Sequence, residues 1–126
     1  MILEGEIGPW GPTVLLDVRA AGGGRVERGL AIMDSGARLS VVDAGIAAGL
    51  GADVVGSHLA KGVCGSCEMK KYRVELTIGG VAFSDAVLLG KQDLAPQFIA
   101  LLGQDFLSLG ILHCDGPARR YRFSTP

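Results

Sequence analysis

"AIMDSGA", residues 31–37, sets an acid inside an apolar run. Ala31, Ile32 and Met33 precede Asp34, and Leu39, Val41 and Val42 follow shortly after. A carboxylate in such a setting is costly unless something compensates for its burial. Ser35 and Gly36 behind it are turn-forming residues. The segment reads as a strand that runs into a tight loop, with Asp34 at the junction.

The neighbouring stretches are also strands. "PTVLLDVRA" (12–20) and "VERGLAIM" (26–33) form a hairpin across "GGGR" (22–25). "LSVVD" (39–43) is a short strand, and "AGIAAGLG" (44–51) a short helix ending on glycine. "YRVELTI" (72–78) alternates cleanly, with Tyr72, Val74, Leu76 and Ile78 on one face and Arg73, Glu75 and Thr77 on the other. "GG" (79–80) is a two-residue turn into "VAFSDAVLL" (81–89). "QFIALLG" (97–103) is apolar enough for a buried strand, and "QDFLSLG" (104–110) fits a short helix closed by Gly110. "ILHC" (111–114) and "RYRFS" (120–124) are strands joined by a turn at "DGPA". About eight short strands and two small helical pieces imply an all-β fold, a small barrel or sandwich, in a single domain over residues 1–126.

Composition narrows the function. A chain of 126 residues supports one domain with a real core. A formal net charge of -1 argues against an electrostatic nucleic-acid binder. No apolar run reaches the roughly 18 residues of a membrane span. "MILEGEIGPW" has two glutamates and no basic n-region, unlike a secretory signal. Three cysteines, Cys64, Cys67 and Cys114, are too few for a disulfide scaffold, and their odd number fits a reducing, cytoplasmic setting.

Downstream of the Asp34 loop, "ALLGQDFLSLGILHCDGPARRYRF" is again an apolar run ending abruptly on glycine. With "AIMDSGA" it resembles the retropepsin-like aspartic proteases, single-lobed relatives of pepsin, over roughly residues 12 to 124. The resemblance implies a small closed β-barrel with a flap hairpin and a short C-terminal helix. It makes Asp34 the catalytic acid/base, with Ser35, Gly36 and Ala37 supporting the loop. Ser35 would bond across a subunit interface, and Gly36 would allow close backbone approach. Leu101, Leu102 and Gly103 would pack beside the loop.

Peptide hydrolysis by this route needs two carboxyls around one water, one accepting a proton and one donating. Two carboxylates about 3 Å apart repel by roughly 5 kcal/mol at an effective dielectric near 20, so one stays protonated and the pair titrates as a unit. This chain has one such loop. Asp115-Gly116-Pro117 lacks a Ser or Thr between Asp and Gly and reads as a turn. The second carboxyl must then come from a second copy, which implies a homodimer acting on a peptide or protein, without metal or cofactor.

Between the two motifs, "GSHLAKGVCGSCEMKKYRVEL" (56–76) occupies the family's flap position, with its tip near Val63, Cys64, Gly65, Ser66 and Cys67. Cys64 and Cys67 also form a CxxC, open to a redox or zinc reading. No second CxxC accompanies it, and no helix follows it. In viral members an acid follows the alanine of the loop and an arginine follows the downstream glycine. Here Arg38 and Gln104 stand in those places, with Asp105 next, so an exchanged ion pair, Arg38 to Asp105, is expected. Viral dimers interleave their chain ends, which makes "MILEGEI" and "RYRFSTP" candidates for a shared sheet, though Pro126 counts against it. The alternatives to a peptidase are a noncatalytic peptide-binding or dimerisation module with the same fold, and a thiol redox or metal protein using Cys64 and Cys67.

Overall fold

The alternation in residues 72–78 becomes one inner wall of a barrel. Tyr72, Val74, Leu76 and Ile78 are buried, while Arg73, Glu75 and Thr77 between them are not. The computed structural model describes residues 1–62 and 65–126. Its strands are β1 (Ile2–Gly8), β2 (Gly11–Ala20), β3 (Glu27–Met33), β4 (Val41–Asp43), β5 (Asp53–Gly62), β6 (Gly65–Ile78), β7 (Val81–Lys91), β8 (Phe98–Leu102), β9 (Ile111–Asp115) and β10 (Arg120–Ser124). Two helices, α1 (Ala44–Gly49) and α2 (Gln104–Leu107), complete it.

Six strands close on themselves in the order β6-β7-β4-β8-β3-β2, because β2 returns to pair with β6 from Leu16↔Ile78 to Ala20↔Val74. Closure removes the open edges of these strands. Two pairings are parallel, β3 with β8 and β4 with β7, and the rest are antiparallel. Inside lie Leu16, Val18, Ala31, Met33, Val42, Val74, Ile78, Ala100 and Leu102. Phe106 of α2 plugs one end, with its ring 5.7 Å from Phe83 and 5.3 Å from Phe123. Each large apolar side chain buried this way contributes roughly 1.5–3 kcal/mol.

The β6–β7 turn works because Gly79 and Gly80 both take positive φ, 59° and 79°. That is the geometry of a two-residue turn matched to strand twist. Asp43 ends β4 and caps α1, its Oδ1 accepting from the Ile46 amide at 3.0 Å.

Four strands lie outside the ring. β5 pairs with the first half of β6 as a long hairpin, from Asp53↔Arg73 to Gly62↔Gly65. β1, β10 and β9 form a three-strand sheet in that order. The residue pattern alone gave about eight strands, without β1 and β5; the resemblance suggested a hairpin over 56–76 and a terminal strand at 1–7, and ten strands are present among the described residues. In β1 the buried Leu3 and the half-buried Gly5 and Ile7 alternate with Glu4 and Glu6, but glycine occupies an apolar position. A Cβ on Gly5 would sit 2.9 Å from the Tyr121 ring, so the ring takes the place of a side chain and the alternation is hidden.

The chain ends pair with each other within one chain. β1 runs against β10 from Ile2↔Ser124 to Glu6↔Arg120. The Met1 ammonium donates to Thr125 Oγ1 at 2.9 Å, and the Thr125 amide to the Met1 carbonyl at 2.9 Å.

Candidate active site

β3 delivers Asp34 to the end of the barrel, and β8 runs parallel beside it. Their ladder continues one bond further, from the Asp34 amide to the Leu102 carbonyl at 2.9 Å. Beyond it the chain turns tightly, with the Ala37 amide reaching the Asp34 carbonyl at 3.2 Å. The half-buried Asp34 carboxylate accepts from the Gly36 amide at 2.8 Å through Oδ1. A Cβ on Gly36 would stand 3.1 Å from that same oxygen, so a side chain there crowds the carboxylate.

The loop is fastened to the β8–α2 junction at several points. The Gln104 amide donates to the Ala37 carbonyl at 2.7 Å, and the Asp105 amide to the Arg38 carbonyl at 3.2 Å. The Gln104 side chain donates through Nε2 to the Ser35 carbonyl at 2.7 Å. Gly103 lies so close to the loop that a Cβ would fall 2.7 Å from the Ala37 carbonyl oxygen and 2.9 Å from that of Leu39. Glycine is needed there for proximity, since its backbone angles are ordinary.

Ser40 joins these parts and was not singled out from the sequence. It is the one buried polar side chain among the described residues, at 4% exposure. Its hydroxyl accepts from the Gly103 amide at 2.9 Å and donates to Asp105 Oδ1 at 2.6 Å. Its own amide donates to Asp105 Oδ2 at 3.0 Å. Asp105 Oδ1 also accepts from the Phe106 amide at 2.9 Å. The signal was a serine between Leu39 and Val41, because a polar group entering an apolar strand requires partners.

The expected ion pair between Arg38 and Asp105 is not formed. The ion pairs among the described residues are Arg19–Glu75, Arg25–Glu27, Arg28–Asp17 and Arg122–Glu4. Asp105 is instead held by Ser40, and Arg38 is exposed. An exposed pair of flexible side chains gains little, whereas Ser40 presents two fixed donors. The tie between loop and helix exists, but through a neutral residue.

The side of the sheet facing away from the core carries a second pattern. Ile32 pairs with Leu101, Leu101 with Val41, and Val41 with Leu89. None of the four belongs to the core cluster, although Val41 and Leu89 are buried. Strand alternation carries Asp34 to the same side as Ile32. An apolar row across four strands therefore lies beside the carboxylate, and it ends at Lys71 opposite Leu89, where the β5–β6 hairpin leaves the barrel. Leu101 lies in this row while Leu102 lies in the core, so the two expected supporting leucines face opposite ways.

Val63 and Cys64 of the expected flap tip lie outside the described residues. Gly65, Ser66 and Cys67 open β6 and are exposed, and the Cys67 thiol is free. Cys114 is free and exposed on β9. No group of three or more His, Cys, Asp or Glu among the described residues is placed to hold a metal ion. Asp115 caps its turn by accepting from the Ala118 amide at 3.0 Å.

No family model matches the sequence, and no curated protein matches it. Solved structures do match. A retropepsin-like aspartic protease from Rickettsia conorii superposes with a TM-score of 0.61 at 16% identity, covering 98% of this chain and 90% of that one. The protease of simian foamy virus (mac) superposes with a TM-score of 0.52 at 19% identity, covering 75% of this chain and 91% of that one. The chain has the retropepsin-like fold. At these identities the likeness is one of fold. In this retropepsin-like barrel, the loop that the sequence resemblance made catalytic stands where β3, β8 and α2 converge. Among the described residues, no helix is long and apolar enough to cross a membrane.

Proposed function

We propose that this chain is a homodimeric aspartic endopeptidase in which Asp34 from each of two copies activates one water. The observation that carries the reading is the Asp34 carboxylate, gripped by the Gly36 amide in a loop fastened to both β8 and α2. A loop that merely turns the chain has no need of so much fixing, whereas catalysis requires reacting groups held to within a fraction of an ångström.

One carboxylate takes a proton from the water, whose oxygen attacks the scissile carbonyl carbon. The protonated carboxyl donates to the carbonyl oxygen. Collapse of the tetrahedral intermediate returns a proton to the departing amine. No metal or cofactor takes part. Ser35, which is exposed, bonds across to the partner subunit in this reading. Ile32 and Leu101, half-buried beside the loop, offer apolar contact for substrate side chains next to the scissile bond. The β5–β6 hairpin is the flap that closes over the bound peptide and keeps water out. Its base has a register shift between Val54 and Gly56, which gives it a place to bend. The odd cysteine count is consistent with a cytoplasmic setting.

The test is cleavage of a peptide library with and without pepstatin, by the wild type and by Asp34→Asn. Cleavage that pepstatin blocks and the variant lacks, with the variant's circular dichroism unchanged, is the expected result. Excess Asp34→Asn should also poison the wild type, because a mixed dimer has only one working carboxyl. Cleavage that continues undiminished in Asp34→Asn removes the proposal.

A further inference from the structure

The chain has four lysines, Lys61, Lys70, Lys71 and Lys91, and all stand on the β5–β6 hairpin or at the end of β7. Three of them, Lys61, Lys70 and Lys91, line one cavity of about 720 Å³. Each of the three is exposed, and none forms an ion pair among the described residues. The pairs that do form all use arginines elsewhere, Arg19, Arg25, Arg28 and Arg122. A lysine ammonium is a mobile point charge, and charges of one sign gathered in a concavity focus their field on what enters it.

The hairpin forms one side of this cavity, and the ends of β4 and β7 form the other. Val42 pairs with Gly90 and Asp43 with Lys91, which brings Ala44 beside Gly90. A Cβ on Gly90 would run into the Tyr72 ring and stand 3.4 Å from the Ala44 Cβ. The buried Tyr72 and Gly90 and the half-buried Ala44 therefore make an apolar floor under the lysines. Glu68 and Asp93 also line the cavity and offset two of the three lysines, which leaves one net positive charge.

One peptide unit relates this cavity to Asp34. The Leu102 carbonyl accepts from the Asp34 amide, and the Gly103 amide of the same unit donates to Ser40 Oγ, both at 2.9 Å. The Asp34 amide and the Ser40 hydroxyl are thus no more than roughly 8 Å apart. From Ser40 the chain reaches Ala44 along β4, at about 3.3 Å per residue. The near wall of the cavity lies within about 20 Å of Asp34, a distance that an extended peptide covers in about six residues.

We propose that this cavity is an anchoring site for the substrate, holding an Asp or Glu side chain within about six residues of the scissile bond. The inference rests on the proteolytic reading above and names its substrate class: peptides with acidic residues flanking the cleaved bond. The carboxylate meets the lysine ammonium groups, and its methylenes lie on Tyr72 and Ala44. The contact is the same before and during the reaction, so it lowers KM and leaves kcat alone.

The first test needs no cleavage. Short labelled peptides of alternating Glu-Ala, Gln-Ala or Lys-Ala are titrated with Asp34→Asn, and fluorescence anisotropy is read at low and high salt. Exposed ion pairs are individually weak, so Glu-Ala should bind roughly 5- to 30-fold more tightly than the other two at low salt. The advantage should shrink as salt rises. Adding Lys70→Gln with Lys91→Gln should flatten the preference, and Lys70→Glu with Lys91→Glu should reverse it, with circular dichroism unchanged. The second test is cleavage of a peptide library by the wild type. Cleaved sequences should be enriched in Asp and Glu near the scissile bond, and exchanging that acid for its amide should raise KM with kcat held. Equal binding of the three peptides, or a preference that the lysine substitutions leave in place, overturns the site. Tighter binding of Lys-Ala assigns the cavity to Glu68 and Asp93 and overturns it too. Pepstatin-sensitive cleavage indifferent to acidic residues removes the inference and leaves the proteolytic reading intact. Selective Glu-Ala binding by a protein that cleaves nothing supports the acidic-peptide site and counts against proteolysis.

Discussion

Replacing Ser40 by alanine should loosen the catalytic loop more than any nearby surface change. The hydroxyl accepts from the buried Gly103 amide at 2.9 Å and donates to Asp105 at 2.6 Å. Without it, the Gly103 amide is left unpaired in a buried position, at a cost of about 1–3 kcal/mol. The lost bond to a carboxylate is worth about 1.5–3 kcal/mol, and the low end applies because Asp105 is exposed. Both effects run through one hydroxyl and do not simply add, so the expected loss is roughly 2–3 kcal/mol. Typical domains have 5–15 kcal/mol in all. With an unfolding entropy of about 2.1 cal/mol/K per residue over 126 residues, Tm should fall by roughly 8–11 °C. Urea denaturation followed by circular dichroism gives the free energy directly. Ser40→Thr, which keeps the hydroxyl, should lose less. A double-mutant cycle with Asp105→Ala should show a coupling of at least about 1 kcal/mol. If Ser40→Ala loses less than about 0.5 kcal/mol, the hydroxyl bridges nothing and the account of how the loop is held is wrong.

Gly103→Ala should cost about 2 kcal/mol or more and reduce activity further, because its Cβ meets backbone oxygens of Ala37 and Leu39 that cannot move without shifting Asp34; melting and cleavage assays on one preparation check both. Arg38→Ala should change stability by less than about 0.5 kcal/mol, since its exposed side chain forms no ion pair among the described residues; a larger loss in urea denaturation would restore the exchanged ion pair. Burial raises the Tyr121 pKa above its usual value, with Arg120 opposing, and its hydroxyl donates to the Thr13 carbonyl at 2.7 Å. The neutral form is favoured in the fold, so this stability is complete below the unfolded pKa near 10 and is lost as pH rises through the higher folded value. Tyr121→Phe should be less stable at neutral pH and should flatten the alkaline limb of a stability profile. Arg28 holds the Asp17 carboxyl below its ordinary range through a side-chain hydrogen bond of 2.7 Å. That contribution is present above the unfolded carboxylate pKa and fades as pH falls through the lower folded value, so Arg28→Ala should soften the acid limb.

Much of this architecture was legible because local and tertiary signals agreed. The alternation of Tyr72, Val74, Leu76 and Ile78 could face only one way into a core, and Gly79-Gly80 admitted few turns. The Asp34 loop and its glycine-ended neighbour could be paired because their chemistry is uncommon together. Other features were hidden for definite reasons. β5 lacks alternation because its hairpin stands clear of the barrel with solvent on both sides. Ile32, Val41, Leu89 and Leu101 look like core residues in sequence, since strands covered on both faces read as continuous apolar runs. Only the register shows that they form a second apolar row, outside the core cluster and on the side of Asp34. Arg38 and Asp105 look like an exchanged ion pair when only those two positions are compared, but Ser40, a third, engages the carboxylate.

These arrangements separate folding from activity. Leu102, Gly103, Gln104 and, through Ser40, Asp105 of the same chain fix the Asp34 loop. The chain ends, too, are paired within the chain. A single copy therefore has the means to fold with its loop already shaped. Under the proposed mechanism that copy holds only half of the reacting carboxyls. Thermal stability should then be nearly independent of protein concentration, while specific activity rises with it until the dimer saturates. An obligate dimer, in which folding itself waits for the partner, would show both quantities rising together. Melting temperature and cleavage rate measured over the same dilution series tell the two apart, and parallel curves would mean that the loop is shaped by its twin rather than by its own barrel.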